Sequence, residues 1–273
     1  MTEAVLTVQN LSVHNHFEDV PAVTGVSFSL VPGQTLGIVG ESGSGKTITC
    51  RALLGVLPEL FEVTEGSIRL LGQDTAELTE NEWRRLRGSG ISAVFQDPAS
   101  YLNPSIPVGK QLAEVLRVKK GLKRKEAYAT AIELLEAVHI RDPEYVYRQF
   151  PHELSGGMLQ RVLITTAIAP EPAVLIADEA TTALDVTVQA EIIDLLADLA
   201  ERFGLALIVV SHDLAVVAQL CSDVIVLRDG EVVEQGMTEE VLFQPQHEYT
   251  RLLLEEHRRF GLERFLATAK ATA

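Results

Sequence analysis

The sequence predicts an α/β fold in which a parallel-sheet core carries an N-terminal antiparallel β layer and an inserted helical subdomain. Residues 35–39 form a nearly continuous apolar run, as expected for a strand buried on both faces, and they lead directly into a glycine-rich loop and a helical stretch. Two further apolar runs, at 173–177 and 205–210, repeat this pattern on either side of an amphipathic helix at about 187–203. We therefore expect neighbouring parallel strands joined by helices.

The antiparallel β layer is predicted at the start of the chain. Residues 5–8 and 26–30 alternate apolar and polar side chains, which is typical of half-buried antiparallel strands, and turn residues lie between them. Towards the other end of the chain, the apolar segments 224–227 and 232–233 flank the dipeptide Asp229-Gly230. An Asp-Gly pair between apolar runs predicts a two-residue β-hairpin turn.

The helical subdomain is predicted between about residues 97 and 169, where apolar residues recur at helical spacing. The clearest apolar face consists of Ala127, Ala131, Leu134, Leu135 and Val138. After the hairpin, we expect a short helix near 238–243, a turn at Pro245 and a closing helix at about 249–259.

Composition limits the functions that the chain can have. With 273 residues, 47% of them hydrophobic, it can bury a sizeable core. No apolar stretch reaches the ~20 residues that a membrane-spanning helix needs, and we do not expect the polar start to be a secretory signal. The two cysteines, Cys50 and Cys221, are too few and too far apart to suggest a disulfide framework or a zinc site. We expect buried thiols in a reducing cytosol.

Charge argues against nucleic acid as the main ligand. The formal net charge is −15, whereas a protein that neutralises phosphates along a nucleic-acid backbone presents a basic surface. The densest basic stretch, residues 119–125, is interpreted as a solvated loop and helix start rather than a binding site.

The glycine-rich loop after the first buried strand matches the P-loop pattern in full. It consists of Gly40, Glu41, Ser42, Gly43, Ser44, Gly45, Lys46 and Thr47. Glycines allow consecutive backbone N–H groups to turn towards phosphates, and the following helix adds its positive end to the same site. Lys46 is expected to reach the β- and γ-phosphates, and the Thr47 hydroxyl is expected to bind Mg²⁺. The loop alone does not distinguish ATP from GTP.

A pair of carboxylates ends the second buried strand. Asp178 and Glu179 follow the apolar run, and carboxylates at the C-terminal end of such a strand are well placed beside a P-loop. Asp178 is expected to bind Mg²⁺, and Glu179 can orient or deprotonate the attacking water. The alternative, a solvated acidic turn, is weak because a P-loop needs such a partner.

A third motif places small residues at a predicted helix start. Ser155, Gly156 and Gly157 follow Leu154, where unpaired N–H groups and the serine hydroxyl can bind a phosphate. Leu-Ser-Gly-Gly between a P-loop and a strand ending in Asp-Glu resembles the signature of the ATP-binding cassette (ABC) ATPases. In that family the signature of one subunit closes over the γ-phosphate that the P-loop of another subunit holds.

The resemblance implies roles for three more residues. Gln96, after the strand at 91–94, matches the glutamine that senses Mg²⁺ and the attacking water. Asp185 falls in the loop that crosses the dimer interface in the family. His212 matches the switch histidine that contacts the γ-phosphate.

The chain departs from the family pattern at two places. The family stacks adenine on an aromatic residue near the N-terminal strand, but Asn15 lies about where that aromatic residue is often found. Phe17 is our choice for the adenine contact, with His14 or His16 as alternatives. Ala180 replaces the usual proline after the Asp-Glu pair, which relaxes the turn without removing a catalytic group.

The resemblance covers nearly the whole chain and implies a single ABC ATPase domain over residues 1–273. The expected parts are an ATPase core with the β layer at 1–96 and 170–235, a helical subdomain at 97–169 and a C-terminal extension at 236–273. Its cofactors would be ATP and Mg²⁺. The segments at 40–46, 181–190 and 245–253 are most similar to the nickel and peptide branch of bacterial ABC importers.

Within that branch, the sequence segments at 48–58 and 158–160 are most similar to those of nickel or metallophore importers. Dipeptide or oligopeptide import is the alternative. With no cysteine after Cys221, an iron–sulfur cluster in the tail is not expected.

The resemblance also implies partners and a location. These partners are a second ATPase subunit, identical or related, two transmembrane permease subunits and an extracytoplasmic binding protein. The expected location is the cytoplasmic face of the bacterial inner membrane, bound peripherally. Two other classes are disfavoured: a nucleic-acid or ribosome-associated ABC ATPase, by the charge and the single P-loop, and a catalytically silent cassette, by Glu179 and His212.

Overall fold

A computed structural model describes residues 3–182 and 184–257. The chain divides into two compact units. The first unit takes the N-terminal part up to Leu78 and the part from Ala206 onward, and the second takes Thr79–Leu205. The predicted helical subdomain at 97–169 lies within the second unit. Part of the predicted C-terminal extension, residues 258–273, lies outside the described residues, as does Ala183.

The described residues form the following strands and helices, numbered in chain order. The strands are β1 (Leu6–Asn15), β2 (Val20–Leu30), β3 (Thr35–Val39), β4 (Phe61–Leu70), β5 (Gln73–Asp74), β6 (Ile91–Val94), β7 (Val174–Asp178), β8 (Ala206–Ser211), β9 (Asp223–Arg228) and β10 (Glu231–Met237). The helices are α1 (Lys46–Leu53), α2 (Glu80–Ser89), α3 (Pro98–Tyr101), α4 (Val108–Lys120), α5 (Arg124–Ala137), α6 (Pro143–Arg148), α7 (Gly156–Ile168), α8 (Val186–Phe203), α9 (Leu214–Leu220), α10 (Thr238–Phe243) and α11 (Glu248–His257).

The first unit is built on a mixed sheet with the strand order β5-β4-β1-β2-β10-β9-β3-β8. β1 pairs antiparallel with β2 and β4, which forms the predicted antiparallel layer. β3 pairs parallel with both β8 and β9, and its central residues are buried on both faces. The paired parallel strands β3, β8 and β9 are short and mostly buried, as expected for strands covered on both faces, whereas β1, β2 and β4 carry both buried and exposed side chains.

The hairpin between β9 and β10 is confirmed. The two strands pair antiparallel, and Asp229 and Gly230 have φ values of 49° and 82°. A two-residue hairpin turn of type I′ requires positive φ at both central residues, and the Asp-Gly pair accommodates it.

The second unit contains the parallel pair β6 and β7 and most of the helices. Along α5, Ala127, Ala131 and Leu135 are buried, as the helical periodicity predicts. The basic stretch at 119–125 has structural contacts: Lys119 donates to the carbonyl oxygens of Arg84 and Arg87, and Lys120 pairs with Glu171. Among the described residues, no helix is long and apolar enough to cross a membrane.

Several predicted boundaries need correction. β1 continues to Asn15 rather than ending near Val8, so the candidate adenine residues lie at the tip of a long hairpin. β4 was not predicted, because most of its side chains are exposed and it is held by pairing with β1. Both buried strands β7 and β8 begin and end one residue later than predicted. The predicted end of the closing helix, near Arg259, lies outside the described residues.

Candidate active site

The glycine-rich loop joins β3 to α1 in a conformation that glycine makes possible. Gly43 and Gly45 have φ values of 85° and 97°, in the left-handed region that L side chains rarely adopt. A Cβ on Gly40 would lie 2.1 Å from the carbonyl oxygen of Leu227, so only glycine fits there. Gly45 is the N-cap of α1 and provides no side-chain cap. The first N–H groups of this helix are therefore left without a capping side chain.

Lys46 is buried at the start of α1, and its ammonium group lies over the loop. Its Nζ donates to the carbonyl oxygens of Gly40 and Glu41, each at 2.7 Å. Lys46 is only 5% exposed, so its charge is held within the loop rather than in bulk water. Thr47, the next residue, is half-buried in the first turn of α1.

His212 is brought next to this loop by strand register. In the parallel pair of β3 and β8, Val39 lies opposite Ser211. Gly40 and His212 each follow directly, so the two loops leave the same edge of the sheet side by side. His212 is exposed, and Ser211 Oγ accepts the N–H of Asp213 at 2.9 Å, which fixes the turn after the strand.

In the second unit, two paired parallel strands likewise bring predicted site residues to one edge of the sheet. In the parallel pair of β6 and β7, Val94 lies opposite Ala177. Gln96 follows β6 by two residues and is exposed, whereas Asp178 is the last residue of β7 and is buried. Glu179 follows it and is half-buried. The structure thus brings Gln96, Asp178 and Glu179 to one sheet edge, as parallel strands should.

Glu179 has an unusual backbone conformation. Its φ is 51°, a left-handed value that costs energy for a residue with a Cβ. Its carbonyl oxygen accepts the N–H of Thr182 at 3.1 Å, and its Oε2 accepts the Thr182 hydroxyl at 3.3 Å. The two contacts close a tight turn that fixes the direction of the carboxylate. Ala180, at the position of the usual proline, is buried in this turn.

The Leu-Ser-Gly-Gly motif forms the start of α7, as predicted. Ser155 is the N-cap, and its Oγ accepts the N–H of Met158 at 3.4 Å. Ser155 and Gly156 are exposed, so the helix start is accessible. A Cβ on Gly157 would lie 2.7 Å from Val188 Cγ1, which shows that this glycine allows α7 and α8 to pack closely.

Asp185 caps the next helix. Its Oδ1 accepts the N–H of Val188 at 3.0 Å at the start of α8, and the residue is exposed. Val186, beside it, is 84% exposed, which is high for an apolar side chain at the start of a long helix. These two residues form an accessible corner of the second unit.

The candidate adenine residues lie at the tip of the β1–β2 hairpin. Asn15 Oδ1 accepts the N–H of Phe17 at 3.0 Å, so Asn15 organises the turn that presents this ring. Phe17 is 78% exposed. His14 Nε2 lies 3.2 Å from Asp19 Oδ1, and His16 Nε2 lies 3.0 Å from Glu62 Oε2. Both alternative histidines therefore have carboxylate partners, whereas the phenylalanine ring faces solvent.

One contact to the loop was not predicted from the sequence. Tyr249, on α11, accepts the N–H of Glu41 on its hydroxyl at 3.1 Å. The two residues are 208 positions apart, so no local pattern indicates the contact. The only signal was the similarity of residues 245–253 to one importer branch.

The loop fits a phosphate chain on the evidence of its own atoms. The Ser44 hydroxyl oxygen is buried and has no hydrogen-bond partner within the described chain. Nothing lies within 4 Å of a Cβ built on Gly43, which leaves space above the loop. An uncapped helix start, a buried ammonium group and a buried hydroxyl form a donor set suited to a polyanion.

Comparison with known proteins agrees with this description. A family model described as ABC transporter matches residues 23–182, more than half of the chain. A solved ATP-binding cassette dimer in a post-hydrolysis state, bound to ADP and Pi, has a TM-score of 0.75 and 27% sequence identity, covering 85% of this chain and 98% of that one. The fold and the motifs define a P-loop ATPase with an α/β core. The chain belongs to the ABC transporter family, as one of its ATP-hydrolysing proteins.

Similar proteins with assigned cargoes fall into two groups. The dipeptide transport ATP-binding protein DppD of Lactococcus lactis is 46% identical over 256 residues, covering 93% of this chain and 73% of DppD. The metal-staphylopine import system ATP-binding protein CntD of Staphylococcus aureus is 39% identical over 257 residues, covering 94% of each chain. The structure of CbiO1 from Clostridium perfringens, part of an ABC transporter complex, has a TM-score of 0.76 at 27% identity, covering 89% of this chain and 92% of that one.

Proposed function

We propose that this chain is the ATP-binding and ATP-hydrolysing subunit of a bacterial importer and that it energises uptake through separate permease subunits. The observation that carries the proposal is the placement of P-loop chemistry in the first unit: a left-handed glycine loop, the buried ammonium group of Lys46 and the exposed His212 meet at the end of two paired strands. That arrangement would serve the binding of a nucleoside triphosphate and the sensing of its last phosphate.

The loop residues Gly40 to Thr47 would hold the phosphates. Backbone N–H groups at the start of α1 supply neutral donors, and Lys46 supplies the positive charge. Phe17 would stack on the adenine through its exposed ring, with His14 or His16 as alternatives. A stacked adenine would favour ATP over a bare triphosphate.

Mg²⁺ would be held by the Thr47 hydroxyl together with Gln96 and Asp178. These residues supply the oxygen ligands that Mg²⁺ prefers, and Asp178 is the buried last residue of β7. The bound metal would neutralise negative charge on the phosphates during the reaction.

Hydrolysis would depend on three side chains. Glu179 would accept a proton from the attacking water, and the turn closed by Thr182 holds its carboxylate in one direction. Gln96 would orient the same water, and His212 would respond to the γ-phosphate. The left-handed φ of Glu179 supports the assignment, because strained backbone of this kind clusters at functional sites.

Two subunits would complete the reaction together. Ser155, Gly156 and Gly157 would close over the γ-phosphate that the P-loop of a second subunit holds, and Asp185 would lie at the interface between the two. The exposure of Ser155, Asp185 and Val186 in the single chain supports this proposal, since a surface reserved for a partner is open until the partner binds. The second subunit would be another copy of this chain or a related ATPase.

The remaining partners would be two transmembrane permease subunits and an extracytoplasmic binding protein that delivers the cargo. The chain would bind peripherally at the cytoplasmic face of the cell membrane. Nucleic acid is not proposed as a partner, because the net charge of −15 opposes it.

For the cargo, we propose nickel or a metal–metallophore complex. This cargo proposal rests on the sequence segments at 48–58 and 158–160 and on the similarity to the metal-staphylopine protein CntD along 94% of both chains. Peptide import is the second candidate, favoured by the 46% identity to the dipeptide transport protein DppD.

Uptake measurements in the source organism test both the role in import and the identity of the cargo. A strain in which Lys46→Ala replaces the native chain should lose uptake of radiolabelled Ni²⁺, supplied free or chelated, and keep dipeptide uptake. Loss of dipeptide uptake with normal nickel accumulation would replace the metal proposal with the peptide one. Normal uptake of both, with no permease recovered on a tagged wild-type chain from solubilised membranes, would contradict a role in import.

A further inference from the structure

The side chain of Tyr249, on helix α11, contacts the phosphate loop. Tyr249, in the first turn of α11, is only 4% exposed. Its hydroxyl oxygen accepts the N–H of Glu41 at 3.1 Å. The carbonyl oxygen of Glu41 accepts from Lys46 Nζ at 2.7 Å. Glu41 is therefore held at both of its backbone polar groups, once by the C-terminal helix and once by the lysine of the loop.

The tyrosine ring is itself held by a strand end beside the loop. The guanidinium carbon of Arg228 lies 4.9 Å from the centre of the Tyr249 ring, a cation–π contact. Arg228 is the last residue of β9 and follows Leu227, whose carbonyl oxygen lies against Gly40. Ring, strand end and loop start thus form one packed group.

The turn before α11 is fixed by a network of hydrogen bonds to its backbone. Glu234 of β10 accepts the N–H groups of Gln246 at 2.7 Å and His247 at 3.1 Å. His247 Nδ1 accepts the N–H of Tyr249 at 3.2 Å, and Arg251 Nη2 donates to the carbonyl oxygen of Gln246 at 2.8 Å. With its turn fixed in this way, α11 can hold the tyrosine hydroxyl at one position.

Burial raises the pKa of the Tyr249 hydroxyl, so the group stays protonated at neutral pH. A protonated hydroxyl can accept the N–H of Glu41 and donate its own hydrogen at the same time. The negative charge of the nearby Glu41 carboxylate also raises the pKa of this hydroxyl.

We propose that Tyr249 is a positioning residue for ATP binding: it fixes the backbone at the start of the phosphate loop before the nucleotide arrives. A loop with glycine at positions 40, 43 and 45 has many accessible backbone conformations, and ordering it on binding would cost affinity. The hydroxyl contact restrains this freedom in advance. The inference rests on the proposed assignment of residues 40–47 as the phosphate site and adds to it a residue from the C-terminal helix.

Tyr249→Phe tests this by removing one oxygen atom while keeping the ring under Arg228. The N–H of Glu41 then loses its partner, and we expect the dissociation constant for ATP and the KM to rise about ten-fold. We expect kcat at saturating ATP to change less than two-fold, because the group does not touch the reacting atoms. Hydrogen exchange of the loop peptide without nucleotide should accelerate. Tyr145→Phe, which removes a hydroxyl from a side chain 62% exposed, is the matched control and should change none of these.

Two further variants separate the mechanism from general destabilisation. Glu41→Ala keeps the backbone N–H and removes the carboxylate, so Tyr249→Phe should cost the same factor in that background. Disappearance of the effect there would overturn the backbone role. Arg228→Gln leaves the hydroxyl in place and removes the cation over the ring; it should weaken ATP binding about two- to three-fold. It also keeps the test valid if Tyr249→Phe fails to fold.

The outcomes distinguish this inference from the function on which it rests. If Lys46→Ala abolishes ATP binding while Tyr249→Phe and Arg228→Gln bind ATP as the wild type does, the positioning role is wrong and the phosphate site stands. If Lys46→Ala binds ATP normally, the site itself is wrong. Loss of both affinity and kcat in Tyr249→Phe in the same proportion would also contradict a positioning role.

Discussion

The ammonium group of Lys46 lies 2.7 Å from the carbonyl oxygen of Gly40, the first residue of the loop in which both lie. In this position the charge closes the loop on itself. The same positive charge would attract the negatively charged triphosphate. We therefore expect ATP binding to exchange the backbone carbonyl partners of Lys46 for phosphate oxygens.

Replacing Lys46 by alanine should abolish tight ATP binding. The variant loses a charge-assisted contact and also the link that closes the loop, so we expect affinity to fall by at least about 100-fold. Titration with ATP followed by calorimetry measures it, and Lys110→Ala, an exposed lysine of α4, is the control. Affinity equal to that of the wild type would remove residues 40–47 from the site.

Phe17→Ala should raise the KM for ATP about five- to ten-fold, which corresponds to the loss of one aromatic stacking contact. Inhibition by tripolyphosphate, which has no base, should not change. His14→Ala and His16→Ala provide the comparison on the same hairpin. A larger effect of either histidine than of Phe17 would transfer the adenine contact to that histidine.

Alanine substitution at the two glycines of the Leu-Ser-Gly-Gly motif should affect stability and ATP hydrolysis differently. In Gly157→Ala the new Cβ would lie 2.7 Å from Val188 Cγ1, and because valine is stiff we expect a loss of about 1–3 kcal/mol in the free energy of unfolding. In Gly156→Ala the nearest atom is Leu184 Cδ2 at 3.7 Å, so stability should hold while ATP hydrolysis by the assembled subunits falls. Denaturant unfolding and hydrolysis rates together separate the two, and equal unfolding behaviour would contradict the packing role of Gly157.

Glu234 gives a prediction for pH. Burial alone would raise its pKa, but the hydrogen bonds it accepts, first from the Gln246 N–H, outweigh burial and hold its pKa below the usual 4.5. A lowered pKa means that the carboxylate stabilises the fold above pH 4.5 and loses this effect as the pH falls through its folded pKa. Glu234→Gln should cost about 1 kcal/mol at pH 7, and the difference from the wild type should shrink below pH 4.5.

Unfolding by urea at several pH values measures this difference, with Glu231→Gln on the exposed start of the same strand as the control. A stability difference that stays constant down to acid pH would show that the charge of Glu234 does not hold the turn before α11.

Strong local signals made part of this structure predictable. β3 and α10 have the predicted bounds, because a fully buried strand and a helix after a hairpin leave clear apolar patterns. The turn at Asp229 and Gly230 was equally clear, since few dipeptides accept two positive φ values. The motifs at the ends of the parallel strands could be found for the same reason: each follows a recognisable buried run.

Features that depend on distant parts of the chain were not predictable. β4 is largely exposed along its length and becomes a strand by pairing with β1, so its own sequence carries little signal. The left-handed φ of Glu179 depends on the turn that Thr182 closes. The Tyr249 contact to Glu41 arises only when α11 folds back onto the loop. Each of these is decided by tertiary packing rather than by local preference.

In our proposal Glu179 activates water in a reaction completed by two subunits, and Glu179→Gln tests this role most directly. The change keeps the shape of the side chain and removes the base, while Lys46 and the loop N–H groups remain for binding. We expect ATP affinity to persist, hydrolysis to fall roughly 10²- to 10⁴-fold and an ATP-dependent dimer to accumulate in sedimentation with the native partner subunit present. Hydrolysis near the wild-type rate would remove Glu179 from the mechanism, and slow hydrolysis without any ATP-dependent association would contradict the two-subunit site.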